Sequence, residues 1–301
     1  MPDAQSRLSG AHMKFDPHFL KFAVMSLSLC LFVAACPDQL SSGVISPPSS
    51  CAGFTAIPKT ENVQVKDGNG LNRDFQIIGS TKFNPKTATP VVFVFHGNGG
   101  NIEVSKSFGF QDAINTAGDQ GLVVIPQGIQ FENYGIGWNQ HASGYDLPFF
   151  DAMLIYLEKH YCVDKTRVFS TGFSWGADMT NALACVKGDQ LRGVAPFSGA
   201  ETNYNPTCST KKYPAVRYRY GTASGTAGDG AYSLKEFQDT TTFYRNAHQC
   251  SQESDPYPPD PCIIYRGCGR PVVECVFATM GHQQPSQDEA LETWKFWKSL
   301  N

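Results

Sequence analysis

The chain has 301 residues, 41% of them hydrophobic and 17% charged, with a formal net charge of −3. That composition excludes a largely disordered chain, and the mild acidity excludes a general polyanion binder, so no nucleic-acid partner is expected. Ten cysteines are many for a reduced cytosolic enzyme and point instead to an oxidising compartment.

Residues 1–12 are polar and patternless, and Met13-Lys14 looks like a more natural start. From Lys14 and Lys21 the chain enters an apolar run, Phe22 to Ala35. It is too short to span a bilayer comfortably and has the charged-then-apolar build of an export signal. It ends Val33-Ala34-Ala35-Cys36, which resembles a bacterial lipobox with Val33 where Leu is usual. Cys36 would then carry lipid and anchor the protein to a membrane; plain cleavage after Ala35 is the alternative. The protein is thus expected to be secreted, or to be an outer-surface or periplasmic lipoprotein. Pro37–Ser50 reads as a flexible tether. The expected organisation is an export signal over 1–36, a tether over 37–50 and a single catalytic domain over 51–301.

Two short strands, Asn62–Lys66 and Arg73–Gly79, flank Asp67-Gly68-Asn69-Gly70 and predict an antiparallel N-terminal hairpin. Val91–His96 is an unbroken apolar run of the kind buried on both faces of a parallel sheet. Further strands are predicted at Leu122–Pro126, Arg167–Thr171, Arg192–Phe197, Ala215–Tyr218 and Val272–Ala278. Helical stretches alternate with them near Phe110–Ala117, Pro148–His160, Gly176–Cys185, Leu234–Ala247 and Gln287–Leu300. The fold class is therefore α/β, a mostly parallel sheet with helices on both faces and the hairpin on one edge. Gln130–Leu147 and Ser251–Pro261 read as loops. Trp294 and Trp297, three apart on the last helix, are expected to pack on the sheet.

No cysteine pair has C-x-x-C spacing, so metal and thioredoxin-type chemistry are not expected, and structural disulfides are. The strand leading to residue 172 rises ~20 Å, and the helix from Trp175 to Cys185 descends ~16 Å. Cys162 and Cys185 both return to the bottom of the sheet by this count and are expected to pair. Cys268 and Cys275 are close enough in sequence to bridge a turn.

Gly172-Phe173-Ser174-Trp175-Gly176 directly follows a strand and precedes a helix. A serine on such a strand–turn–helix junction presents its hydroxyl above the carboxyl end of the sheet. Small residues are needed two before and two after it. Of the seven histidines only His248 and His282 follow Ser174. His248 falls at a helix end, where packing is expected, whereas His282 lies in a loop after a strand, placed to act as general base. His96-Gly97-Asn98-Gly99-Gly100 follows the central strand, where a backbone N–H near Asn98 can join that of Trp175 in an oxyanion hole. A phosphate cradle is the rival, but the G-K-[ST] ending of a P-loop is missing. Trp138 and Trp175 sit in loops near this site; Trp138 is the candidate for substrate stacking, with wall-lining as the alternative.

FHGNGGN, the GWN at Gly137–Asn139, FFDAMLIYLEKHYCVDKTRVFSTGFSWG, the ALAC at Ala182–Cys185, APFSG, YRNAHQC and GHQQP resemble the secreted feruloyl esterase, acetylxylan esterase and polyhydroxybutyrate depolymerase family. The similarity runs from about Arg73 to the end. It implies an α/β-hydrolase fold, Ser174 as nucleophile, His282 as base, and an ester substrate from plant cell wall or polyester. There are two departures. Trp175 stands where the family usually has Asn, and the usual HGTxD appears as Tyr220-Gly221-Thr222-Ala223-Ser224, with serine in place of the acid.

A serine cannot balance the imidazolium formed on His282. Asp229, between Gly228 and Gly230, is the acid of that loop, and the expectation is that the carboxylate has moved from position 224 to Asp229. The sequence thus predicts a monomeric serine esterase that works through an acyl-enzyme without metal or organic cofactor. Feruloyl or acetyl esters of polysaccharide are the first expectation and hydroxyalkanoate polyester the second. A catalytically silent glycan-binding lipoprotein is the alternative of another class.

Overall fold

Val91–Phe95, five apolar residues in a row, occupy the middle of the sheet in the computed structural model, which describes residues 50–141, 144–200 and 208–300. The expected export signal, and all of the tether but Ser50, lie outside these residues.

The described strands are β1 (Glu61–Lys66), β2 (Asn72–Gly79), β3 (Thr89–Phe95), β4 (Leu122–Pro126), β5 (Ile129–Phe131), β6 (Gly135–Gly137), β7 (Val163–Phe173), β8 (Gly193–Phe197), β9 (Ala215–Gly221), β10 (Ser254–Pro256), β11 (Cys262–Tyr265) and β12 (Val272–Phe277). The helices are α1 (Ile102–Lys106), α2 (Phe110–Thr116), α3 (Asp146–His160), α4 (Trp175–Val186), α5 (Leu234–Ala247) and α6 (Gln287–Lys298). The main sheet runs β1-β2-β4-β3-β7-β8-β9-β12-β11-β10. Its middle, from β4 to β12, is parallel, and the β1–β2 hairpin closes one edge antiparallel as the sequence predicts.

Successive side chains of a strand point to opposite faces, so β3 feeds two cores. Val91, Phe93 and Phe95 enter one, with Phe150 and Met153 of α3, Met179 and Leu183 of α4, and Phe237 and Tyr244 of α5. Val92 and Val94 enter the other, with Phe110 and Ile114 of α2 and Trp294 and Trp297 of α6. Trp297 stacks on Phe169 of β7 at 4.8 Å and on Phe110 at 5.7 Å, which fixes the last helix to the sheet.

The far edge differs from expectation. The segment read as the loop Ser251–Pro261 contributes β10, and β11 follows it, each only three or four residues long and paired antiparallel. Strands this short carry too little alternation to be legible. The Gln130–Leu147 stretch likewise contains the small β5–β6 hairpin.

The expected Cys162–Cys185 bond is not formed. Cys162 is joined to Cys51 and Cys185 to Cys208, with Cα separations of 5.5 and 4.6 Å. A disulfide needs lateral proximity as well as equal height. The N-terminal segment reaches Cys162, while residues 208–210 lie along the end of α4, where the Thr210 N–H donates to the Cys185 carbonyl. Cys268 pairs with Cys250 rather than with Cys275. Cys275 bonds Cys262, the residue directly opposite it in the β11–β12 register.

Peptide mapping without reduction is expected to recover these four linkages. Because the Cys51–Cys162 bond spans 111 residues and Cys262–Cys275 only 13, replacing the first pair by Ser should lower stability by about 2–5 kcal/mol and more than replacing the second. Equal denaturation midpoints for the two variants would contradict this.

Candidate active site

The turn from β7 into α4 is steeply constrained. Ser174 has φ +56°, a left-handed value uncommon in a non-glycine residue, and its N–H is held by the Phe197 carbonyl at 3.0 Å. A Cβ on Gly172 would lie 2.3 Å from the Gly176 carbonyl oxygen, and one on Gly176 only 2.1 Å from that of Phe95. Both glycines are thus demanded by backbone proximity.

Two loops converge above this turn. A Cβ on Gly221, at the end of β9, would sit 2.0 Å from the Met280 carbonyl oxygen, so the loop after β9 lies directly against the loop after β12. The Ala223 N–H donates to that carbonyl at 3.1 Å. The first loop carries Asp229 and the second His282. His282 Nε2 lies 2.9 Å from Ser174 Oγ, and His282 Nδ1 lies 2.8 Å from Asp229 Oδ2. The N–H groups of Ala231 and Tyr232 donate to Asp229 Oδ1 at 3.0 and 3.1 Å. Burial alone would raise the Asp229 carboxyl, but the hydrogen bonds from His282 and these two amides outweigh it and hold it below the usual carboxylate range. An ionised carboxylate only accepts, so Nδ1 of His282 carries hydrogen and Nε2 is free to accept from the serine hydroxyl. Ser224 is exposed on the turn, with its N–H on the Gly228 carbonyl.

No protein-family model matches the chain. It is 25% identical to feruloyl esterase D of Neurospora crassa over 301 residues, 91% of this chain and 96% of that one. It is 30% identical to feruloyl esterase C of Emericella nidulans over 142 residues, 44% of this chain and about half (49%) of the relative's length. The acetyl xylan esterase from Aspergillus awamori superposes on 79% of this chain and 99% of its own, with a TM-score of 0.63 at 14% identity. The chain has an α/β-hydrolase fold and is similar in sequence to feruloyl esterases. It is accordingly a carboxylic ester hydrolase.

In this esterase the glycine-rich turn after β3 is built around His96, which is fully buried. Its Nε2 accepts from the Gly128 N–H at 2.9 Å, so Nδ1 carries hydrogen and donates to the Gly97 carbonyl at 2.7 Å. Burial lowers the imidazole's affinity for a proton and keeps it neutral. Gly97 approaches the serine most closely: a Cβ there would be 3.2 Å from that of Ser174. Asn98, one residue on, is exposed, and its carboxamide lies against Gly135 of the β5–β6 hairpin.

Trp138 does not line the site. Its ring is 0% exposed, edge-on to Phe95 at 5.1 Å, and its indole N–H donates to the His96 carbonyl at 2.8 Å. It braces the glycine-rich turn from beneath, since an indole with its one donor satisfied is stable in a core. Trp175 is half-buried over Gly137, with its N–H on Gln140 Oε1 at 3.1 Å and its ring 6.0 Å from Phe131. Phe131 stacks on Tyr134, which is 54% exposed, so an aromatic rim stands beside the serine.

Sequence reasoning missed Arg219 of β9, a fully buried guanidinium that uses all five donors. It binds Ser198 Oγ, the carbonyls of Gln283 and Gln284, and both oxygens of Glu289. The two carbonyls immediately follow His282, so the loop is fixed next to its histidine. Two arginines alternating in an otherwise apolar strand, Arg217 and Arg219, were the available signal.

Trp138→Phe keeps an aromatic six-membered ring but removes the pyrrole half of the buried indole together with its donor to the His96 carbonyl. It is expected to cost about 1–3 kcal/mol of stability, read by urea denaturation, while leaving the ratio of kcat/KM between an aromatic and an acetyl ester unchanged. A changed ratio would return Trp138 to the substrate site.

Proposed function

We propose that this esterase hydrolyses feruloyl or acetyl esters of plant cell-wall polysaccharide through an acyl-enzyme on Ser174, with His282 as general base and Asp229 as its acid. The observation that carries this is the continuous chain from Ser174 Oγ to His282 Nε2 at 2.9 Å and from His282 Nδ1 to Asp229 Oδ2 at 2.8 Å.

Ser174 Oγ attacks the ester carbonyl carbon while His282 Nε2 takes the hydroxyl proton. The negative oxygen of the tetrahedral adduct is received by the N–H of Trp175, an amide at the start of α4 with no partner within its helix, and by an N–H near Asn98. Collapse breaks the bond to the alcohol, which leaves with the proton from His282. Water then enters, His282 takes its proton, and a second collapse frees the carboxylic acid and restores Ser174. Asp229 stays ionised and stabilises the imidazolium of each half-reaction.

The aromatic rim of Trp175, Phe131 and Tyr134 favours an aromatic acyl group over a hydroxyalkanoate polyester. Four disulfides among the described residues fit an oxidising, extracellular setting. Within this proposal residues 1–36 are the export signal and Cys36 the point of lipid attachment.

Rates on methyl ferulate, acetylated xylan and polyhydroxybutyrate test the assignment. Ser174→Ala should reduce hydrolysis of the first two to background. Asp229→Asn should lower kcat by up to ~10⁴-fold, and Ser224→Asp should not raise it. Equal rates for the unmodified protein and Ser174→Ala would refute the esterase. Full activity of Asp229→Asn would refute the relocated acid.

A further inference from the structure

The acid loop is an unpromising place to hold a carboxylate. Asp229 is flanked by Gly228 at φ +66° and Gly230 at φ +99°, followed by Ala231, so its neighbours offer no side chain able to anchor it. The loop instead turns back on itself until Tyr232, where a Cβ on Gly228 would lie 2.1 Å from the Tyr232 carbonyl oxygen. Directly afterwards, the Ser233–Glu236 capping box begins α5.

Tyr232 meets every member of the site. Its N–H donates to Asp229 Oδ1 at 3.1 Å, its ring lies 5.8 Å from that of His282, and its hydroxyl lies beside that of Ser174. The same hydroxyl donates to Asp178 Oδ2 at 2.7 Å. Asp178 is on α4, four residues after the serine, and is the one acidic residue of that helix, on a buried face it shares with Asn181 and Ala182. Its other oxygen accepts from the Ala200 N–H at 2.9 Å, so it cannot swing away without losing a second bond. A charged residue on a buried helix face is costly unless paired, and this pair spans 54 residues of sequence.

We propose that Tyr232 is a positioning residue: its hydroxyl, fastened to Asp178, ties the acid loop to the nucleophile helix and so sets Asp229 against His282. This rests on the Ser174–His282–Asp229 assignment. Two observations bear on it independently. The strut joins the elements that carry the acid and the serine, and it stands at the end of a glycine-flanked turn. Burial pushes the Asp178 carboxyl up to about 7 and, with Asp178 beside it, drives the Tyr232 phenol far above its usual range, so the phenol stays protonated and is the donor.

Tyr232→Phe removes the hydroxyl and keeps the ring and the N–H to Asp229. Hydrolysis of p-nitrophenyl acetate should show kcat reduced by roughly 10–100-fold with KM changed by less than about twofold. Placed in Asp229→Asn, the same substitution should change kcat by less than about twofold, because the acid it positions is already disabled. The downfield proton resonance of an imidazole N–H held by a carboxylate should weaken or vanish in Tyr232→Phe, with circular dichroism unchanged. Should the single variant be unstable, Asp178→Asn with Tyr232→Phe removes the buried charge too and is expected to give the same kinetics. Unchanged kcat, or an equal fractional loss in both backgrounds with the resonance intact, would overturn the proposal. Absence of Ser174-dependent hydrolysis in the unmodified protein would instead overturn the esterase assignment beneath it.

Discussion

The contact between Asp229 and His282 is the interaction on which the rest of the site depends. An imidazole that must gain and lose a proton in each half-reaction needs a fixed anion on its far nitrogen, both to hold one tautomer and to balance the charge. Asp229 and His282 come from loops after β9 and β12, neighbouring strands of a parallel sheet, and Ser174 from the turn after β7. Parallel strands end on the same side, so the sheet brings all three loops to one rim without further design. What it does not supply is placement to within a few tenths of an ångström.

That placement comes from buried polar groups. Arg219 binds the backbone just after His282 and, through Ser198, the end of β8 beside the serine turn. Asp178 holds Ala200 on one oxygen and Tyr232 on the other. His96 and Trp138 fix the glycine-rich turn by its carbonyls. Each group is enclosed and each is hydrogen-bonded, which is the condition under which burying polarity rigidifies a structure rather than weakening it.

Much of this was legible in the sequence. The β3 run, the glycine spacing around Ser174 and the position of His282 follow from backbone geometry and strand order, and these are local signals. The approach of Asp229 to His282 was legible as well, because the loop after β9 holds one carboxylate, flanked by two glycines that let it turn back. Features that depend on sideways distance were not. Cys162 and Cys185 each bond another cysteine, on a segment whose path no periodicity reveals. Trp138 reads as a loop residue near the site, and only the packing shows its ring turned inward under His96. Tyr232 has no motif. Its role arises because two elements far apart in sequence lie side by side, and the sole clue was a carboxylate on a helix that is buried along most of its length.

The claim that these contacts activate one serine is tested most directly by intact-mass and peptide mass spectrometry after exposure to a fluorophosphonate, which phosphonylates serines made nucleophilic by an adjacent base. The account predicts a single adduct, located on Ser174 and lost in His282→Ala. No adduct, an adduct on another residue, or equal labelling of the His282→Ala protein would contradict it.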